Sequence, residues 1–376
     1  MAGAMSSARA NPLRSLEALG QSVWLDDIRR GWLEDGTLAR LIAEDGVSGV
    51  TSNPAIFGKS ISETHDYNAA IAVLAARGLD AQGIYESLAI EDVQRAADLL
   101  RETYEASGQR DGYVSLEVSP HLAHDTDGTA GEAQRLWARV NRPNLMIKVP
   151  GTDAGLPAIR RLIGAGINVN VTLLFSVDRY RQAARAHMEG LDDRVKAGEA
   201  VKHVASVASF FLSRIDVLVD QRLDRIESAD LRASARRLRG EAAVACGRSA
   251  YQVYLDLTRT ARWQSLALAG AQAQRLLWAS TGTKDPAYSD VKYVEPLIGA
   301  HTVNTMPFET LAAFRDHGRP AARLTVEVEA AAGVPGALSA LGIELPAVVR
   351  QLEEEGVQKF IAPYDKLLAL LARRQR

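Results

Sequence analysis

Short apolar segments, rich in β-branched residues, recur along the chain and alternate with longer segments of helical periodicity. Segments of this length and composition are typical of strands buried within a sheet. Eight strands are predicted, at 22–26, 47–52, 112–118, 144–149, 167–173, 203–208, 275–280 and 301–305. Strands that alternate with helices indicate βα units and a parallel sheet.

Several intervening segments carry apolar residues three or four positions apart, as on one face of a helix. Helices are predicted at 91–107, 155–164 and 177–191, and Gly108 suits the position just after the first of them. Eight strands with helices between them indicate an α/β fold, a single (β/α)₈ TIM barrel.

Three segments are longer than simple connections between barrel strands. Residues 54–111 contain more than one predicted helix, residues 209–274 form an Ala- and Arg-rich helical insertion, and residues 308–376 form a helical tail. No internal repeat, low-complexity tract or change in composition divides the chain. We therefore predict one barrel domain over 12–376, with these helical insertions, preceded by a disordered N-terminus at 1–11.

Composition narrows the possible classes of function. A hydrophobic content of 47% and a charged content of 24% are typical of a soluble globular protein, and a net charge of −2 gives no sign of a nucleic-acid partner. The one cysteine, Cys246, excludes an intramolecular disulfide and a cysteine-rich metal site. The chain has neither a membrane-length apolar run nor a signal-peptide pattern. We expect a cytoplasmic protein that binds neither nucleic acid nor membrane.

Lys148 is the most informative single residue. It lies in the apolar segment 144–149, and Pro150 follows, so it lies at the carboxyl end of a buried strand, where α/β barrels keep their chemistry. A buried ammonium is costly unless it is paired or loses its proton, and a neutral lysine amine can form a Schiff base with a carbonyl substrate. The alternative is a structural lysine whose head reaches water from the strand end. This segment alone leaves both interpretations open.

Polar residues also occur at the ends of the other predicted strands. Period-two geometry places Asn168, Asn170 and Thr172 on one face of strand five. The full set comprises Asp26 at the end of strand one, Asn53 after strand two, Glu117 near the end of strand three, Asn170 and Thr172 in strand five, and Ser209 and Arg214 after strand six.

Each of these residues has a structural explanation when it is taken alone. Asp26 could cap a helix, Asn53 could begin a turn, and Glu117 could simply pair with Lys148. Asp27 beside Asp26 is ambiguous, but strand alternation points it to the opposite face, so we favour Asp26. Together the set supplies a nucleophile, two acid–base carboxylates and neutral groups that can hold hydroxyls, which is what carbonyl–amine chemistry requires.

At these motifs the chain resembles the transaldolase family, specifically its longer bacterial form, from about residue 12 to the C-terminus. The motifs are VWLD at 23–26, TSNP at 51–54, VSLEV at 114–118, MIKVP at 146–150 and INVNVTLLFS at 167–176. Ser209 and Arg214 match the family's pair after strand six. Several motifs in order, each at an expected strand end, make a far more specific signal than the lysine alone.

The resemblance implies an enzyme of the pentose phosphate pathway that needs no cofactor. It would transfer a dihydroxyacetone unit from a ketose phosphate (sedoheptulose 7-phosphate or fructose 6-phosphate) to an aldose phosphate (glyceraldehyde 3-phosphate or erythrose 4-phosphate). The implied roles are the Schiff base for Lys148, proton removal from the C4 hydroxyl for Asp26, activation of the catalytic water for Glu117 and Thr172, binding of the dihydroxyacetone hydroxyls for Asn53 and Asn170, and phosphate binding for Ser209 and Arg214.

The loop after strand seven departs from the family pattern. Shorter members carry an arginine near Ser280, whereas this chain continues to Lys284 without one. Lys284 either supplies the missing charge or is a solvated loop lysine, and the sequence leaves both open. We include Ser280 and Lys284 among the candidate substrate-binding residues.

Two motifs that could suggest a bound group are better explained otherwise. His121 and His124 lack an obvious third ligand, so a loop is favoured over a metal site. The glycines at 164 and 166 precede a predicted strand, whereas a dinucleotide-binding motif would follow one. We expect neither a metal nor a cofactor.

Two other functions remain compatible with this barrel. One is a Schiff-base aldolase that cleaves fructose 6-phosphate, although Glu117 with Thr172, and Ser209 with Arg214, favour transaldolase. The other is a non-catalytic binding barrel, against which the complete set of polar residues argues. Small sugar phosphates are the expected partners, and a homodimer is possible.

Overall fold

The computed structural model describes residues 11–374, and eight parallel strands within that range close into a barrel in sequence order. The predicted (β/α)₈ barrel is confirmed, since β1 pairs with β2 on one side and with β8 on the other. The strands are β1 (Gln21–Leu25), β2 (Val47–Val50), β3 (Tyr113–Glu117), β4 (Leu145–Pro150), β5 (Val169–Leu174), β6 (Ser206–Phe211), β7 (Arg275–Ala279) and β8 (Thr302–Met306).

Helices surround the barrel and form the long connections. The helices predicted at 155–164 and 177–191 correspond to α9 and α10, and the prediction at 91–107 falls on α6 and α7. The helices are α1 (Pro12–Ala18), α2 (Arg30–Glu34), α3 (Thr37–Asp45), α4 (Pro54–Glu63), α5 (Asn68–Ala76), α6 (Ala81–Leu99), α7 (Arg101–Ala106), α8 (Thr126–Val140), α9 (Gly155–Gly164), α10 (Val177–Lys196), α11 (Ser213–Leu223), α12 (Ala229–Leu238), α13 (Ala242–Thr258), α14 (Ala261–Leu268), α15 (Phe308–His317), α16 (Val328–Ser339) and α17 (Leu345–Arg374).

The strands are apolar on both faces because helices cover the outside of the barrel while side chains fill its interior. Every residue of β3, β4, β5 and β6 is buried. The interior is packed so closely that a Cβ on Gly49 would lie 2.4 Å from the ring of Trp24. Glycine at this strand position therefore lets the indole pack against the backbone of β2.

The sixth strand lies later in the chain than predicted. It spans Ser206–Phe211 and not 203–208, so Ser209 is inside the strand and the helical insertion begins after it, at α11. The segment from 204 to 212 is almost wholly apolar and buried, so no residue type within it marks where the strand begins or ends. Pairing with β5, in which Val169 lies opposite Ser206, decides where the strand begins.

The insertions and the tail contain the predicted helices. Helices α4 to α7 fill 54–111, α11 to α14 follow β6, and α15 to α17 form the tail. Helix α17 contacts α4, α6, α11 and β5, so it lies across several units of the barrel. Within the described residues, no helix has both the length and the apolar character needed to cross a membrane. The segment predicted to be disordered lies outside the described residues except for Asn11, whose side chain caps α1.

Candidate active site

A cavity of about 230 Å³ opens at the C-terminal end of the barrel strands. It brings together residues from strands four to eight, from the loops after strands one and two, and from helices α4, α11 and α17. Of the predicted site residues, only Glu117 and Asn170 lie behind the cavity wall. The polar lining is Asp26, Thr51, Asn53, Lys148, Thr172, Ser209, Arg214, Ser280, Lys284, Thr305 and Lys359.

Lys148 projects from β4 into the base of this cavity. Its side chain is buried, with 4% of the residue exposed, which rules out a lysine that simply extends to bulk water. Its Nζ donates a hydrogen bond of 2.9 Å to the backbone oxygen of Ser52 and lies 3.8 Å from Oε2 of Glu117. Strand register explains the pair, because Glu117 on β3 lies directly beside Lys148 on β4.

Glu117 is a buried carboxyl group without a hydrogen-bond partner on either oxygen among residues 11–374. Burial raises its pKa to about 7, although the positive charge of Lys148 opposes that effect. The hydroxyl of Thr172 is also buried without a partner in the same range. Buried polar groups are normally paired, so these groups mark a position for a water molecule or a substrate hydroxyl.

Asp26 follows β1 and faces the same cavity. It accepts a 2.7 Å hydrogen bond from the hydroxyl of Thr51, which also lies 2.6 Å from that of Thr305. Burial raises the pKa of Asp26, and the nearby charge of Lys148 opposes that rise. Asp27 instead pairs with Arg29 at 2.7 Å, in agreement with the preference for Asp26.

The two candidate asparagines differ in position. Asn53 lines the cavity and also caps α4, since its side-chain oxygen accepts a hydrogen bond from the backbone N–H of Ile56 at 3.0 Å. Asn170 is fully buried on β5, where it donates to the hydroxyl of Ser115 at 3.0 Å and accepts from that of Ser209 at 2.7 Å. Asn170 therefore orients Ser209 from behind the cavity wall.

The opposite side of the cavity is cationic. Arg214 lies in the first turn of α11, and its Nη1 is buried without a hydrogen-bond partner among the described residues. Burial lowers the pKa of Arg214 and the carboxylates of Asp26 and Glu117 oppose this. Lys284 and Lys359 add two further ammonium groups to the lining. Such a cluster suits an anion.

The loop after β7 contributes to this cationic side. The hydroxyl of Ser280 lies 2.8 Å from that of Ser213 at the start of α11, and both Ser280 and Lys284 line the cavity. Ser280 adopts a left-handed backbone conformation with φ of 55°, which is uncommon outside glycine. Lys284 lines the cavity and is also exposed, so its position is compatible with both the charge-replacing role and that of a solvated loop lysine.

Helix α17 supplies two residues that sequence reasoning missed. The ring of Phe360 is 7% exposed and its centroid lies 5.7 Å from Nζ of Lys148 and 5.9 Å from Cζ of Arg214. Lys359 lines the cavity beside it and pairs with Glu355 at 2.8 Å. The sequence predicted that the tail is helical, but it could not indicate that this tail covers the barrel mouth.

The arrangement combines an amine nucleophile with two carboxyl groups and a cationic binding surface. Carboxyl groups with raised pKa values can exchange protons near neutral pH, as general acids and bases must. The histidine motif after β3 belongs to no metal-binding cluster, since His121 contacts Asp365 at 2.7 Å and no group of three or more ligating residues occurs in residues 11–374.

Comparisons with known proteins agree with this geometry. Residues 23–371 match the family model described as Transaldolase/Fructose-6-phosphate aldolase. The chain is 47% identical over 359 residues to the Transaldolase of Thiobacillus denitrificans, covering 96% of this chain and 99% of that protein. It is 45% identical over 365 residues to Transaldolase 2 of a Nostoc species, covering 95% and 96%. With the Transaldolase of Mycobacterium bovis the identity is 48% over 361 residues, covering 95% and 96%. The chain belongs to the transaldolase/fructose-6-phosphate aldolase family.

Proposed function

We propose that this protein is a transaldolase that moves a dihydroxyacetone unit from a ketose phosphate to an aldose phosphate through a Schiff base on Lys148. The observation that carries the proposal is the buried Lys148 amine, which lies between two carboxyl groups of raised pKa at the base of a cavity with a cationic far side. The relatives named transaldolase, which match nearly the whole chain, support the same activity.

The first step joins the lysine to the substrate. The neutral amine of Lys148 attacks the C2 carbonyl of the ketose, and the carbinolamine that forms loses water to give a protonated imine. Glu117 and Thr172, whose buried oxygens lack partners among the described residues, hold the water and transfer the proton. The protonated imine then serves as the electron sink for the next step.

The second step breaks a carbon–carbon bond. Asp26 takes the proton of the C4 hydroxyl, the C3–C4 bond breaks, and its electron pair moves to the imine nitrogen to give an enamine. The shortened aldose leaves with a new C4 aldehyde, while the three-carbon enamine stays bound to Lys148. An incoming aldose phosphate reverses these steps, so no redox partner is required.

The cationic side of the cavity binds the phosphate of donor and acceptor. Replacement of Arg214 by alanine is expected to lower kcat/KM for fructose 6-phosphate by about ten- to a hundredfold, because a hydrogen bond to a charged group is worth roughly 1.5–3 kcal/mol. Activity on unphosphorylated fructose should change little. Steady-state kinetics on both substrates measures the difference.

The matched control for this experiment is Arg222→Ala. Arg222 lies on the same helix but contacts Gln351 at 2.7 Å and is absent from the cavity lining. It should leave the preference for phosphorylated substrate unchanged. An equal loss on both substrates in Arg214→Ala would mean that Arg214 supports the fold or the lysine and does not bind phosphate.

The ring of Phe360, which covers Lys148 and Arg214, is expected to contribute to kcat/KM. Phe360→Ala should lower kcat/KM by about five- to thirtyfold, because cation–π contacts with two desolvated cations are worth about 1–2 kcal/mol and water gains access to the amine. Phe360→Leu, which keeps an apolar cover but lacks the aromatic ring, should lose less. Equal kinetics for wild type and Phe360→Ala would show that α17 covers the site without affecting it.

Aldolase activity is the second candidate, since the family description includes fructose-6-phosphate aldolase. The two functions differ in the fate of the enamine, which water protonates in an aldolase and an aldehyde captures in a transaldolase. Incubation with fructose 6-phosphate alone and with added erythrose 4-phosphate separates them. A transaldolase forms sedoheptulose 7-phosphate in the second mixture and releases little free dihydroxyacetone in the first.

We infer that the protein acts in the pentose phosphate pathway in the cytoplasm. This inference rests on the proposed substrates, which are phosphorylated sugars of that pathway, and on the sequence, whose one cysteine fits a reducing compartment. Cell fractionation with an antibody, combined with sedoheptulose 7-phosphate accumulation in a deletion strain, tests both statements.

A further inference from the structure

A second cavity, of about 280 Å³, lies at the opposite end of the barrel. Its walls come from the first residues of several strands, including Tyr113 of β3, Ser206 of β6 and Arg275 of β7, together with His301 just before β8 and Tyr254 of α13. We call it the N-terminal cavity. In barrels of this type the N-terminal face usually serves stability, while chemistry lies at the other face. The cavity is therefore separate from the site around Lys148.

The lining of the N-terminal cavity contains two arginines, Arg110 and Arg275, and no carboxylate. Asp111, outside the lining, pairs with Arg275 through Oδ2 at 3.7 Å, while its Oδ1 accepts a 2.6 Å hydrogen bond from the indole of Trp24. Arg110 is thus the arginine of the lining that has no carboxylate partner among the described residues. The positively charged lining therefore differs from the chain as a whole, whose net charge is −2.

The two arginines are arranged to receive an anion. Arg275 is held in place, because its Nη1 donates to the hydroxyl of Ser22 at 2.7 Å and its Nη2 to the backbone oxygen of Arg110 at 2.6 Å. The Arg110 guanidinium lies 3.5 Å from Nδ1 of His301 and pairs with no carboxylate among the described residues. A guanidinium group can donate two parallel hydrogen bonds to two oxygens of a phosphate.

His301 and Tyr254 complete the cavity. Burial, together with the charges of Arg110 and Arg275, lowers the pKa of His301, and a bound anion would relieve that repulsion. The backbone of His301 is left-handed, with φ of 60°, a conformation that glycine would adopt at lower cost. The ring of Tyr254 lies 6.3 Å from that of His301 and stacks on Tyr251 at 5.7 Å, which gives the cavity a flat apolar wall.

We propose that the N-terminal cavity binds a small phosphate monoester, with Arg110 and Arg275 holding the phosphate and Tyr254 packing against the carbon skeleton. The volume supports an organic ligand over a bare ion, since 280 Å³ is close to the lower end of cavities that bind small molecules, roughly 300–1,000 Å³. The proposal does not depend on the activity at the other end of the barrel.

His301 provides a local reporter for the test. The imidazole signals of the seven histidines are followed by NMR in the full-length protein, and His301→Gln assigns the signal of His301. Two probes are titrated at constant ionic strength: inorganic phosphate, and sorbitol 6-phosphate, which lacks a carbonyl and cannot form a Schiff base. We expect a saturable shift of the His301 signal with both probes, at lower concentration for sorbitol 6-phosphate.

Variants separate this cavity from the active site. Arg214→Ala, which removes the proposed phosphate contact at the other end, should leave the His301 titration unchanged. Arg110→Gln should weaken binding by about ten- to a hundredfold, the usual range for a hydrogen bond to a charged group. Arg110 is exposed, so its replacement should preserve the fold. Arg40→Gln is the matched control, because Arg40 is exposed and lines neither cavity.

Three results would overturn the proposal. The first is a His301 signal that shows no saturable response to either probe. The second is an affinity that is the same in Arg110→Gln as in Arg40→Gln. The third is inorganic phosphate binding as tightly as sorbitol 6-phosphate, which would remove the role of Tyr254 and the assignment of an organic ligand.

Discussion

Replacement of Lys148 by alanine or methionine is expected to abolish turnover and to prevent any adduct with fructose 6-phosphate under borohydride. The covalent route requires the amine, and removal of a catalytic nucleophile typically lowers the rate by roughly 10⁴-fold or more. Methionine keeps most of the side-chain volume in a position that is only 4% exposed, so the fold should survive. Mass spectrometry of peptides from the trapped wild-type protein identifies the modified residue.

The cavity itself offers the competing lysines for this experiment. Lys284 and Lys359 line the same space, so an adduct on either would contradict the assignment of Lys148. Lys202→Met is a control for general effects of removing a lysine, since Lys202 is exposed and lies outside the cavity. It should trap substrate as the wild type does. Thermal unfolding of each variant separates lost chemistry from lost structure.

The second large effect is expected when the two carboxyl groups are replaced one at a time, because each replacement should slow a different step of the reaction. Asp26→Asn should form the imine, and so be trapped by borohydride at a near-normal rate, but turn over about 10²–10⁴-fold more slowly. Glu117→Gln should instead slow the formation of the imine itself. Rapid-quench trapping measures the first step, and steady-state transfer to erythrose 4-phosphate measures the whole reaction.

The raised pKa of Glu117 adds a pH signature to this experiment. Burial brings its pKa to about 7, so the group is protonated below that pH and ionised above it. If the carboxylate form activates the water, imine formation in the wild type should slow as the pH falls through about 7. Glu117→Gln cannot titrate and should lose this dependence. A wild-type rate that is constant from pH 6 to pH 8 would contradict the assignment of the base.

Asp27→Asn is the matched control for Asp26→Asn. The two aspartates are adjacent, but Asp27 pairs with Arg29 at 2.7 Å, so its replacement should change neither trapping nor turnover by more than a few-fold. The division of labour would be wrong if Asp26→Asn and Glu117→Gln had the same trapping rate and the same residual turnover.

Local patterns in the sequence determined the number and order of the barrel strands and most of the residues that line the cavity at their C-terminal ends. The strands are buried on both faces and read as short β-branched apolar runs, so their number and order could be predicted. Lys148 and Asp26 could be identified as candidates because each is a charged residue at the end of an apolar segment. Since the carboxyl ends of parallel strands meet at one face, polar residues at those ends were expected to converge, and the cavity contains most of them.

Strand boundaries and the depth of individual side chains were decided by the tertiary structure. Ser209 lies within β6 because pairing with β5 sets the start of the strand, and nothing in the surrounding apolar run marks that point. Asn170 is predicted to bind substrate, and only the structure shows that it is fully buried and that its amide bonds to Ser115 and Ser209. Alternation indicates the face of a strand that a residue occupies, but not its distance from the opening.

Only the folded chain could bring distant segments together at the two ends of the barrel. Phe360 lies more than two hundred residues after Lys148 in the sequence, yet its ring covers that amine because α17 packs across the mouth. No signal in the sequence indicated the cluster of Arg110, Arg275 and His301. Each lies at the start of a strand or shortly before one, in a different βα unit. Short-range periodicity determines which elements form, whereas closure of the barrel and the docking of its tail decide which side chains become neighbours.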